Sequence, residues 1–152
     1  MDFLCPNHRK QFADLPLRER KDLWLFWMEN ACACGERGRE AISLAGSAFD
    51  LACLDGTRDD SCMHIELTLS AILVSQELRG CGDRAGSEHV VFHALECLAD
   101  ERYTAANDFC ELNECVSVLL DRSRQADFFT DYLNWPSLSF GLADRRFSKL
   151  LH

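Results

Sequence analysis

Proline and glycine are scarce in this sequence, at 3 and 8 of 152 residues, which excludes the linker-like and disordered compositions that cannot bury a core. Long apolar runs are missing as well. Nothing approaches the roughly 18 consecutive apolar residues of a membrane span, and the longest candidate, Ile65–Leu78, is broken by Glu66, Gln76 and Glu77. The opening MDFLCPNHRK has no apolar segment of the kind a secretory signal needs. Leu4-Cys5 lacks the hydrophobic run that must precede a lipoprotein cleavage site. Polar–apolar alternation of the strand type is absent. So is a phosphate-cradling loop: GERGRE and GCGDRAG have neither a preceding strand nor a Lys-Ser/Thr ending. The expectation is a cytoplasmic protein with reduced thiols.

What is present suits one globular domain, residues 1–152, with 47% apolar and 27% charged residues. The net charge of −9 is unevenly placed. Met1–Glu40 has seven basic and seven acidic residues, Ala41–Cys115 four and fourteen, and Val116–His152 five and four. An acidic middle repels phosphate, so nucleic acid and anionic membrane are disfavoured, and a basic or amphipathic protein partner is favoured. Nine cysteines, an odd count, without a secretory signal do not read as a disulfide framework. Most of them are expected to pack as small core hydrophobes.

The fold class expected is all-α, about six helices in antiparallel hairpins. Residues 1–14 read as irregular, with Pro6-Asn7 a turn signal. A first helix runs from about Pro16 to Cys34. Trp24, Phe26 and Trp27 make it apolar over more than half its circumference, so it is either buried on several sides or a binding surface. The chain is organised around GREAISLAGSAFDLA, Gly38 to Ala52, where Ala41, Leu44, Ala45, Ala48 and Ala52 form one helical stripe. Small residues there let a second helix approach closely. Further helices are expected over about 62–79, 87–100 with Ser87 as cap, 104–122 and 124–133. The tail, 137–152, is too apolar to stand free in water without cause; it either packs as a short helix or covers a groove.

Val90, Ala94, Cys97, Tyr103 and Ala106 sit at the offsets of a tetratricopeptide hairpin. Arg39-Glu40-Ala41-Ile42 with Leu44, Ala45 and Ala48 resembles the second helix of an earlier repeat. Over about half its length the chain thus resembles tetratricopeptide-like helical repeats, and FHALECL resembles the small bacterial secretion chaperones built on them. The resemblance implies a concave groove for a peptide or partner helix. It carries over no binding residues, and the basic and asparagine set of the carboxylate-clamp variety is missing.

Several residues could carry chemistry. Cys5 and His8 have the two-residue gap of a metal knuckle, and Cys32 and Cys34 could complete four zinc ligands. Two residues apart on a helix means about 200° around its axis, so Cys32 and Cys34 converge only if the helix ends before Cys34. His89 and His93 are four apart on one helix face, with Cys97 one turn further, and would need another ligand from elsewhere. Glu88 does not make this a protease motif, because Val90 follows His89. No nucleophile signature surrounds any cysteine, even Cys62 near His64. The acidic run Glu96, Asp100, Glu101, Asp108, Glu111 and Glu114 lacks the ExxH pattern of di-iron bundles and reads as a solvated face. The function expected is therefore a non-enzymatic adaptor, chaperone or regulator with no cofactor, touching its partner through Trp24, Phe26, Trp27, Trp135 and Phe140. The alternatives are a zinc-binding protein using Cys5 and His8, and a homodimeric scaffold.

Overall fold

The computed structural model describes residues 3–33, 38–54, 63–99 and 109–133, and these are helical with no strand among them. Among the described residues seven helices follow in order: α1 (Pro6–Ala13), α2 (Leu17–Ala33), α3 (Gly38–Cys53), α4 (His64–Gly80), α5 (Arg84–Leu98), α6 (Phe109–Leu120) and α7 (Gln125–Leu133). A 3-10 turn, Arg122–Arg124, joins the last two. Helices α2, α3, α4 and α5 pack each on the next, and α6 closes against both α4 and α5. None of them is long and apolar enough to cross a membrane.

The alanine stripe of α3 lies in the core: Ala41, Ala45, Ala48 and Ala52 are buried, with Phe49 and Leu51 beside them. It packs between α2 and α4, as small residues permit. The centre of the bundle, however, is α4. Every residue from Leu67 to Ser75 is buried, so this helix is enclosed on all sides rather than along one stripe. Its hydroxyls are satisfied within the helix. Thr68 Oγ1 donates to the His64 carbonyl at 2.7 Å, Ser70 Oγ to that of Glu66 at 2.8 Å, and Ser75 Oγ to that of Ile72 at 3.0 Å. These bonds let polar residues sit in an apolar interior without unpaired groups.

The N-terminal segment is not irregular, as the sequence suggests, but helical from Pro6 to Ala13. Pro6 opens the helix instead of making a turn, since the first helical position needs no N–H and proline presets its φ. The segment is held by Asp50, a carboxylate 1% exposed in α3. Its Oδ2 accepts from the backbone N–H groups of Phe3 and Leu4 and from Arg9 Nη2, the last at 3.0 Å. The Phe3 ring lies directly on Gly46, where any Cβ would overlap it. Buried Arg20 adds a second tie, donating to the carbonyls of Ala13 and Leu54 at 2.9 and 3.2 Å.

Helix α5 starts earlier than Ser87. Asp83 is its cap, accepting from the Gly86 N–H at 2.8 Å, while Ser87 is buried in the first turn. The connection before it is tight enough that Gly82 takes φ 86°, the left-handed region that favours glycine.

Candidate functional site

Two places concentrate chemistry, and both involve α5. The first is a cleft of about 460 Å³ between the end of α4, the outer face of α5 and the end of α6. Val91, Leu95 and Leu119 contribute to its apolar lining. Buried Gln125 lines it too, fixed by donating to the Val118 carbonyl at 3.1 Å and accepting from Gln76 at 3.3 Å. Phe92 and Leu120 stand at its edge, 65% and 69% exposed, more open than the other large apolar side chains among the described residues. Arg79, Arg84 and Arg122 converge on the same cleft, opposed by one carboxylate, Glu88. None of the three guanidiniums has an ion-pair partner among the described residues. Burial, and then the nearness of Arg122, lowers the pKa of Arg79. Like charge has therefore been gathered here in a chain whose overall sign is opposite.

The second place joins Cys53, at the end of α3, to His93 and Cys97 on α5. One ligand atom from each lies within 4.8 Å of the others, and all three residues are half-buried. Cys97 Sγ donates to Cys53 Sγ at 3.5 Å. The His93 ring stands edge-on to Phe49, at 5.6 Å and 89°. Hydrogen bonding with Cys97 and then burial push the Cys53 thiol well above its ordinary range. The local reason is register. Phe49 faces His93 and Cys53 faces Cys97, so α3 and α5 run side by side in the same direction, and each step of four residues on one matches four on the other.

The residues singled out in the sequence are distributed differently. Cys5 Sγ and His8 Nδ1 do meet, at 3.2 Å on the exposed start of α1. Cys32 is half-buried on α2 and packs against the core. Cys34 lies outside the described residues. Among those residues, three ligand atoms gather only at Cys53, His93 and Cys97. Trp24 is corrected from a binding residue to a core one, 3% exposed. Trp27 is half-buried with its ring edge-on to Phe12 at 5.6 Å. Phe26 does face solvent. Trp135 and Phe140, and the tail they belong to, lie outside the described residues. The cysteines are less buried than expected of core residues. Of the six whose side chains are described, Cys115 alone is buried, Cys5 and Cys81 are exposed, and the others are intermediate.

Phe92, Leu120 and the three arginines carry no motif, because a cleft is made by helices that the sequence does not show to be neighbours. The His93–Cys97 spacing was visible; Cys53, 44 residues earlier than Cys97, was not. No family model matches the chain, and no curated protein or solved structure matches it either.

Proposed function

We propose that this protein is a non-enzymatic binding scaffold of tetratricopeptide-like helical hairpins, whose cleft between α5 and α6 holds an amphipathic helical segment of a protein partner. The observation that carries the reading is the coincidence at one cleft of two exposed large apolar side chains and three guanidiniums that have no ion-pair partner among the described residues. Apolar groups supply affinity at such a groove and charges supply orientation and selection. The partner segment accordingly carries acidic residues beside its apolar face. The whole-chain charge of −9 favours a basic partner at long range. Contact is governed by nearer charges, since salt screens beyond about 8–10 Å, and at this cleft the near charges are positive.

The test uses two synthetic amphipathic helices with identical leucine spacing, one flanked by glutamate and one by lysine. Fluorescence anisotropy is expected to show the acidic peptide binding at least about tenfold tighter, equivalent to about 1.4 kcal/mol. Phe92→Ser or Arg122→Glu should remove that binding. Equal affinity for both peptides, or binding indifferent to these changes, overturns the reading. So does a dimer, seen by light scattering, that Phe92→Ser dissociates, because the cleft would then be a contact between two copies of the chain.

A further inference from the structure

The geometry points to a zinc site built from Cys53, His93 and Cys97, which braces α3 against α5 across the central helix. It is independent of the cleft and of the proposed partner. Zinc takes nitrogen and sulfur ligands tetrahedrally, at about 2.0–2.1 Å and 2.3 Å. Those lengths put two sulfurs about 3.8 Å apart, and a nitrogen and a sulfur about 3.6 Å apart. Here the sulfurs are 3.5 Å apart and all three ligand atoms lie within 4.8 Å. A cation therefore requires side-chain adjustments of about 1 Å rather than any movement of helices.

The three residues are carried by packed helices although they are far apart in sequence. His93 and Cys97 are one turn apart on the same helix, so their side chains project over the same patch of surface. Cys53 is delivered by α3, and both helices are packed on α4. Phe49 meets the His93 ring edge-on at 5.6 Å. A reversible disulfide between Cys53 and Cys97 would not need the imidazole, whereas a metal uses all three groups.

The charges balance. Zinc binding displaces a proton from each thiol, so a dication, two thiolates and a neutral imidazole make a neutral centre, and two protons leave to solvent. A neutral centre suits a half-buried place, where a net charge would be penalised. Because all three residues keep some exposure, water completes the tetrahedron as the fourth ligand.

The test starts from full-length protein, reduced and stripped of metal by a chelator. Cobalt(II) titration is expected to give tetrahedral ligand-field bands and a sulfur-to-cobalt charge-transfer band, saturating at about one equivalent and bleached by zinc. Cys97→Ser and His93→Gln should each weaken zinc binding at least about tenfold in competition with a chromophoric chelator. Cys81→Ser and Cys5→Ser should leave it unchanged. Zinc should raise the melting temperature of the parent and not of the two ligand variants. Circular dichroism of the metal-free proteins checks that they remain folded. Should Cys97→Ser fail that check, His93→Gln carries the test alone, since it removes a half-exposed ring. Absence of the charge-transfer band, affinity unaffected by His93→Gln, or loss of binding in Cys5→Ser overturns the site. So does reduced protein that takes up no metal and forms only a Cys53–Cys97 disulfide on oxidation.

Discussion

The outer face of α3 and the outer face of α5 are finished in opposite ways. On α3 the chain covers itself. Asp50 accepts two backbone N–H groups and Arg9, and Phe3 seats on the bare backbone of Gly46. Beside α5 the corresponding ingredients line an open cleft: Phe92 and Arg84 from α5 itself, Arg79 from the end of α4, Leu120 from the end of α6 and Arg122 from the turn after it. Where polar groups find partners within the chain they specify structure. Where apolar and like-charged groups are collected at an open cleft, as they are here among the described residues, they are the feature on which the proposed partner contact rests. The contrast sets the self-covered face of α3 against the open cleft beside α5.

The sharpest way to break the comparison is at Asp50. Asp50→Ala should strand buried donors and cost about 3–5 kcal/mol, read as a lower midpoint in urea unfolding. A loss under about 1 kcal/mol would mean the N-terminal segment is only loosely held. Next comes Gly46→Ala. The added methyl displaces the Phe3 ring and should cost about 1–3 kcal/mol. Phe3→Ala in the same chain should make the two changes less than additive, and strict additivity would show that the ring does not rest there. A smaller effect tests where α5 begins. Asp83→Ala removes a cap and should cost about 1 kcal/mol, with Ser87→Ala serving to show whether the cap lies at Ser87 instead. The smallest effect on stability, and the most telling, belongs to the open face. Phe92→Ser should change the unfolding free energy by no more than about 0.5 kcal/mol while abolishing binding of the acidic amphipathic peptide. A large destabilisation there would place Phe92 among the packing residues and erase the difference between the two faces.

Much of the architecture is legible in the sequence because helices announce themselves locally. The stripe Ala41, Ala45, Ala48 and Ala52 and the scarcity of proline act within a few residues, whereas the cap of α5 reads as Ser87 and is Asp83. The misreadings have the same origin. Pro6-Asn7 carries both turn and helix-start signals, and what distinguishes them is Asp50, more than forty residues away, holding the segment by its backbone. Helix α4 is found at about its expected bounds, but its burial on all sides is not local: Ser70 and Ser75 are buried too, because their hydroxyls bond to their own helix. Trp24 reads as core or as contact, since an apolar side chain looks the same in sequence whichever it is.

The candidate sites were legible only in halves. His93 and Cys97 share a helix face, and any reading of the spacing finds them. Cys53 joins them because two helices that are not consecutive lie in parallel register on a third, a relation no local pattern encodes. The cleft depends likewise on α6 folding back onto α4 and α5, which brings Arg122 to Arg79 and Arg84. By itself, then, the sequence determined the helical class, the breaks between helices and the small-residue face that lets α3 pack closely. Those properties follow from backbone hydrogen bonding and hydrophobic periodicity over a few turns. Tertiary structure alone decided which face is closed and which is left open, and which cysteine meets the histidine, because these depend on register between helices distant along the chain.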